Sequence, residues 1–246
     1  MLSSRPTADA EVERLARVRK RARYRRAFEV ENPLVTVRIA SYRRTRELME
    51  VALPSVLAQT HENLEIIIVN DGPNPETAAA IRAIGDRRVR YSEFRRRSVY
   101  PERPQHRWFV AGSPGMNEGI RRARGRWIAA LDDDDEFTPH HVARLLALAR
   151  ETRAELVYGA LVQNDLSENT SARIFSDPPQ RGGFSFQGAL VHGMLSFFRY
   201  DTESWRVEEP GDWNLARRML AAGVRTGAVD EVVGTLHRVP YTKRDD

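Results

Sequence analysis

Short apolar runs alternate with amphipathic stretches along residues 33–238. Residues 34–40 alternate and are β-branched, the signature of a first strand. Residues 46–60 place Leu48, Met49, Ala52, Val56 and Leu57 at helical spacing, and Pro54 is expected to kink or restart that helix. Residues 64–70 form a near-continuous apolar run, suited to a parallel strand covered on both faces. A helix over 76–84 and a strand over 89–94 follow. After an interruption, residues 116–123 read as a helix and residues 127–131 as a short buried strand. An amphipathic helix is expected over 139–151, with Thr138 as N-cap and Pro139 at the first helical position. Next come a strand over 155–163, an irregular polar stretch to about 188, and a strand-like run over 189–198 broken at His192-Gly193. A helix follows Pro210-Gly211-Asp212-Trp213 and stops at Gly223, and a last strand covers 229–236. Strands alternating with helices imply right-handed βαβ units and an α/β fold, with a mostly parallel central sheet and helices on both faces.

Residues 1–32 stand apart. They are dense in arginine (Arg14, Arg17, Arg19, Arg21, Arg23, Arg25, Arg26), with Val12, Leu15, Val18 and Ala22 at helical spacing. The expectation is a basic helical arm ended by Asn32-Pro33. Its thin apolar stripe docks either on its own domain or on a twin subunit in a homodimer; its charge alternatively meets an anionic membrane surface or an acidic partner. Residues 33–246 are read as one domain.

The candidate chemistry gathers where the central strand runs into Asp132-Asp133-Asp134-Asp135. The carboxylates fall on the turn at the carboxyl end of a strand, where open α/β sheets bind ligands. Four adjacent carboxylates repel one another unless something positive compensates. Hard oxygen ligands on one turn suit Mg²⁺ or Mn²⁺, with a ligand's phosphates completing the shell. The competing reading is a solvated acidic turn.

Composition narrows the classes. The chain has no cysteine, so disulfides and thiolate chemistry are excluded. Its net charge is +5 and nearly all of the base is arginine, which favours bidentate pairing with phosphate or carboxylate. Nucleic acid is not an expected partner, because no recognised nucleic-acid motif accompanies the charge. No G-x-G-x-x-G follows the first strand and no P-loop pattern occurs. With no apolar run near 18 residues and no signal-peptide pattern, the expectation is a soluble, cytoplasmic protein.

The order of the motifs resembles family 2 glycosyltransferases of the GT-A, Rossmann-like fold. The resemblance rests on Ser41-Tyr42 after the first strand, the run from Ser55 to Thr60, Ile67 to Gly72, Asn117-Glu118-Gly119-Ile120, and Leu131 to Pro139. It implies a nucleotide-sugar-binding half over 33–138 and an acceptor-binding half over 139–246. It implies that Ala40, Tyr42, Asp71, Asn117 and Asp133 bind the nucleotide, with Asp71 accepting from a uracil or thymine imide. It implies a metal held by Asp132 and Asp134, with Asp135 behind them and His237 nearby. The arginine that usually precedes the asparagine of that motif is Met116 here, so Arg103 or Arg107 of the basic stretch 95–109 is expected to meet the diphosphate. Asp212 matches the family's catalytic base, although it also sits where an N-cap belongs. His192 and Trp213 are acceptor-side candidates by position. The function implied is metal-dependent, inverting transfer from a UDP- or dTDP-sugar to a hydroxyl of a small molecule or glycan. The alternative is a nucleotide-diphosphate-binding module of the same fold without transferase activity.

Overall fold

In a computed structural model, residues 8–165 and 167–238 are described. Four parallel strands form one half of the sheet: β1 (Val35–Ser41), β2 (Leu64–Asn70), β3 (Val89–Glu93) and β4 (Trp127–Asp132), in the order β3-β2-β1-β4. Nearly every position of β1, β2 and β4 is buried, as expected of parallel strands with both faces covered. Beyond β4 the sheet is mixed. Strand β8 (Ala189–His192) runs antiparallel to β4 and to β6 (Leu156–Asp165), and β6 then pairs in parallel with β9 (Thr226–Arg238).

Several elements depart from the expected pattern for local reasons. The helix over 46–60 forms as α3 (Thr45–Glu47), a π turn (Leu48–Ala52) and α4 (Leu53–Leu57). Pro54 has no N–H to return to the preceding turn, and the wider turn just before it absorbs that loss. Thr138 does not cap a helix. Its hydroxyl donates to the Val233 carbonyl, and α8 (His141–Thr152) begins one turn later. Two strands were not expected, β5 (Glu136–Phe137), which pairs with β9, and β7 (Thr170–Ile174), a hairpin on β6. The run after His192 is a 3₁₀ turn, not strand (Gly193–Leu195). Helix α5 (Pro75–Ile84) carries a cap that was not foreseen, the Asn74 side chain accepting from Thr77 N–H at 3.1 Å. Within the basic stretch 95–109, α6 (Pro104–Val110) begins with Pro104 in its first turn. It leads to α7 (Ser113–Arg122).

The arm folds as α1 (Ala8–Arg19) and α2 (Ala22–Ala27) and docks on its own domain. Leu15, Val18, Tyr24, Ala27 and Phe28 join the main core. Val12 and Ala22, expected in the apolar stripe, are exposed, and Glu11 is buried in their place, paired with Arg218. The anchor is polar. Arg19 donates twice to the fully buried Glu155, at 2.7 Å each, and Tyr24 OH donates to the same carboxylate at 2.6 Å. Burial acts to raise the Glu155 pKa, but these hydrogen bonds outweigh it and hold the carboxyl below its usual range. Among the described residues no helix is long and apolar enough to cross a membrane.

Candidate active site

The site is built at the carboxyl ends of β1, β2 and β4, where parallel register brings three turns side by side. Ala40 pairs with Val69 on one side and Asp132 on the other. Asp133 is buried, and its Oδ2 accepts from the Tyr42 N–H at 3.2 Å. Asp71 is buried as well. Its Oδ1 accepts from Ser98 N–H and Oγ at 2.9 and 2.7 Å, and its Oδ2 from Tyr100 OH at 2.6 Å. The Arg97 guanidinium lies over the Tyr42 ring, 4.1 Å from its centroid. So Ala40, Tyr42, Asp71 and Asp133 form one cluster, with residues 97–100 folded onto it.

The acidic turn is held from both sides. The Gln187 amide donates to Asp132 Oδ2 at 2.6 Å and to Asp135 Oδ2 at 2.9 Å. The His237 N–H donates to Asp135 Oδ1 at 2.8 Å, while its imidazole meets Glu136 at 3.3 Å. Arg44 pairs with Asp134 and lies 3.7 Å from Asp133. These partners do not neutralise the turn. Burial, with repulsion from neighbouring carboxylates, pushes Asp132 up to about 7 and Asp133 up to about 8. Asp134 and Asp135 are also raised, chiefly by burial. Among the described residues no three acidic or imidazole side chains converge to enclose an ion by themselves. A magnesium-like ion typically takes one or two carboxylates and completes its shell with phosphates and water, so the donor set fits that mode of binding.

Asp212 faces this turn from helix α9 (Gly211–Ala221). It lies within the helix, not at the cap, which is Pro210. Its Oδ2 accepts from Ser185 Oγ at 2.8 Å and from Phe186 N–H at 3.1 Å. A single short segment, Ser185 to Gln187, therefore touches both Asp212 and the acidic turn. The buried Tyr200 is the second link. Arg38, on β1 and 3% exposed, donates to Tyr200 OH at 2.6 Å, and Tyr200 in turn meets Asp212. Two glycines make these approaches. A Cβ on Gly119 would lie 3.0 Å from the Arg38 Cβ, and one on Gly211 would lie 3.0 Å from the Phe109 carbonyl oxygen. A side chain before Asp212 would press on the Phe109 backbone, which would have to give by a few tenths of an ångström.

Four expected site residues sit elsewhere. His192 is wholly buried between Tyr24, Phe28 and Trp127, with Nε2 3.1 Å from the Tyr24 carbonyl oxygen. Burial pushes it down to about 4, so it is a neutral core residue beneath the arm, with no surface to offer an acceptor. Asn117 spends its amide on Tyr200, donating to its carbonyl at 2.9 Å and accepting from its N–H at 2.9 Å. It fixes the Tyr200 backbone and makes no contact with the acidic turn. Arg107 donates to the carbonyls of Pro101 and Glu102 within its own segment, and Arg103 is exposed at the start of α6. Arg44 is the arginine at the turn. Trp213 is half-buried beside Asp212 and packs against the core.

The residues that sequence reasoning passed over are Arg38, Arg44, Ser185, Gln187 and Tyr200. Arg44 follows the Tyr42 turn by two residues and carried a local signal. Gln187 and Ser185 lie in an aperiodic stretch and carried none.

Against this geometry the comparisons are direct. The model described as "Glycosyl transferase family 2" matches residues 36–202. The chain belongs to this family. It is 30% identical over 225 residues to the putative colanic acid biosynthesis glycosyl transferase WcaA of Escherichia coli (strain K12), covering 84% of this chain and 73% of that protein. It is 33% identical over 147 residues to the succinoglycan biosynthesis protein ExoO of Rhizobium meliloti (strain 1021), covering 59% of this chain and 38% of that one. Among solved structures, residues 1–349 of S. aureus TarS in complex with UDP-GlcNAc superpose with a TM-score of 0.64 at 12% identity, over 83% of this chain and 58% of that chain. Another crystal structure of S. aureus TarS gives a TM-score of 0.63 at 10% identity, over 84% of this chain and 37% of that chain. At that identity the likeness establishes the shared GT-A fold. The protein has that fold, and it spans under two thirds of the length of most of these relatives.

Proposed function

We propose that this glycosyltransferase moves a sugar from a nucleoside-diphosphate sugar, of the uridine or thymidine class, to a hydroxyl of a small molecule or glycan, with inversion and with Mn²⁺ or Mg²⁺. The observation that carries this reading is one segment, Ser185 to Gln187, bonded both to the acidic turn and to Asp212. Support for the donor class comes from the cluster of Tyr42, Asp71 and Asp133, and from the UDP-GlcNAc complex of the structural neighbour TarS.

In this reading Asp71 accepts the base imide in place of one of its present donors, and Asp133 takes the ribose. Asp132 and Asp134 hold the cation, with His237 at the edge of the turn. The bound cation would offset the charge that develops on the departing diphosphate. Arg44 takes the diphosphate role first expected of Arg103 or Arg107. Asp212 accepts the proton of the attacking hydroxyl as general base, held in orientation by Ser185, the Phe186 N–H and Tyr200. Trp213, next in sequence, is the acceptor-side residue that remains. One base opposite the leaving group gives direct displacement and inversion at the anomeric carbon.

The test is thermal stability against UDP, dTDP, GDP and ADP, each with and without Mn²⁺. A ligand that binds only the native state raises the midpoint by mass action, about 2.7 kcal/mol at a hundred times Kd. A shift with UDP or dTDP that needs Mn²⁺ and disappears in Asp134→Ala is expected. No shift with any diphosphate would overturn the donor and the cation together.

A further inference from the structure

The arm leaves most of its charge unspent. Of its arginines, Arg19 is committed to Glu155. Arg14, Arg17, Arg21 and Arg23 are exposed, and with Arg126 they surround a groove of about 570 Å³ between the arm and the amino end of β4. No carboxylate lines this groove. Among the described residues Arg17, Arg21, Arg23 and Arg126 make no ion pair. Val18, Met194 and Phe197 add apolar surface to a lining that is otherwise mostly polar. The walls are firmly set: α1 is tied to Glu155 through Arg19, and the Arg126 backbone bonds to Leu34 and Gly193.

Five guanidiniums held around one concavity repel one another, and an anion relieves that repulsion. A cluster of guanidiniums with a few apolar side chains among them suits the phosphate headgroups of an anionic bilayer. It fits single-stranded nucleic acid less well. Binding of that kind uses open aromatic platforms for the bases. Of the rings that line it, His192 is wholly buried, and Phe197 is stacked on Phe198 at 4.5 Å and covered by the Arg14 guanidinium at 4.7 Å.

We propose that this groove seats the protein on an anionic bilayer by binding phosphate headgroups. Strand β4 runs from the groove to the aspartates, and six residues at ~3.3 Å each set the two about 20 Å apart. The groove is thus separate from the acidic turn, and its occupancy does not depend on the donor reading.

The experiment is sedimentation of the full chain with phosphatidylcholine vesicles, with and without phosphatidylglycerol, at about 0.1 M salt, where exposed charges still act over ~10 Å. Binding is expected only with phosphatidylglycerol and should weaken as salt is raised. Each basic residue near such a surface contributes about fivefold in partitioning, so combining Arg17→Ala, Arg21→Ala, Arg23→Ala and Arg126→Ala should weaken it at least a hundredfold. Lysine at the same four positions keeps the charge and should retain most of the binding, which separates loss of the site from loss of fold. The melting midpoint and the Mn²⁺-dependent UDP shift of both variants should match those of the unaltered protein. Three results would overturn the proposal: no preference for phosphatidylglycerol, undiminished binding by the alanine variant, or release from vesicles by millimolar glycerol 3-phosphate. Tighter binding to a single-stranded oligonucleotide than to vesicles would replace the membrane with a nucleic acid.

Discussion

Divalent-cation binding should tighten with pH and release protons. Desolvation, with repulsion between carboxylates, raises Asp132 to about 7 and Asp133 to about 8, from an ordinary value near 3.8. A cation requires its carboxylate ligands ionised. At pH 6 a carboxyl that titrates near 7 is ionised about one time in ten, which weakens apparent affinity about tenfold, or ~1.4 kcal/mol. Affinity for Mn²⁺ with UDP should therefore rise about fivefold between pH 6 and 7 and about twofold more before it levels off at about pH 8, with about one proton released per cation at pH 6. If Asp133 must also ionise, the slope steepens and affinity levels off about one pH unit higher. The protein without cation behaves oppositely. A carboxyl whose folded pKa is raised contributes stability that is fully present below its ordinary pKa and is lost as pH rises through the folded value. The midpoint without cation should thus fall between about pH 4 and 8, and the gain on adding Mn²⁺ and UDP should grow over the upper part of that window. Calorimetry in two buffers of different ionisation heat counts the protons. Affinity that is flat across the window, or binding with no proton release, would refute the claim that these buried carboxyls hold the cation.

Three further outcomes are expected. Asp212→Asn should keep the Mn²⁺-dependent UDP shift and lose transfer by about 10²–10⁴-fold, the usual contribution of a general base; wild-type turnover would remove Asp212 from the chemistry. Arg44→Ala removes the guanidinium paired with Asp134 and near Asp133. The pH at which Mn²⁺ and UDP binding levels off should move upward, and UDP affinity should drop more than uridine affinity; equal losses for both would argue against a diphosphate contact. Arg19→Ala strands Glu155, which is fully buried, with fewer partners. Arg19 is one-third exposed and Glu155 keeps Tyr24 and Arg225, so the loss should cost about 1–3 kcal/mol and lower the midpoint by roughly 2–12 °C, and an unchanged midpoint would contradict the anchoring role.

What the sequence made legible was local. Continuous apolar runs announced β1, β2 and β4, because burial on both faces forces that composition. The acidic turn and the Asp71 turn could be placed because each directly follows such a strand. Long-range partners were not legible. Gln187 bonds Asp132 across 55 positions, and Ser185 bonds Asp212 across 27. Neither lies in a periodic segment that would assign it a face. The place of His192 is illegible for a related reason. Its neighbours suggested a break in a strand, but only the antiparallel register opposite Trp127 places its ring beneath the arm. The short α6 did carry a signal, since a proline within a basic stretch opens a helix as readily as it breaks a loop.

Two aspartate sites in this protein have been treated differently by the fold, and the contrast bears on what the acidic turn is for. Asp71 receives three short hydrogen bonds from residues 98 and 100 alone. At the acidic turn the chain offers Arg44, the Gln187 amide and two backbone N–H groups to four adjacent carboxyls, and the Asp212 side chain faces them. Replacing buried like charges with neutral or apolar groups is often stabilising, so a cluster with no further role has an easy route to lower energy. The fold also goes to some length to maintain this one. Arg38 is buried in β1 to reach Tyr200, and Gly119 leaves it room. That arrangement sets a cation against Asp132 from within the sheet without covering the turn, because the guanidinium contacts Tyr200 and acts on Asp132 only through its field. The turn is therefore partly compensated from behind and left electronegative in front. A dication with a diphosphate would complete that balance, and a structural acidic turn would not need it.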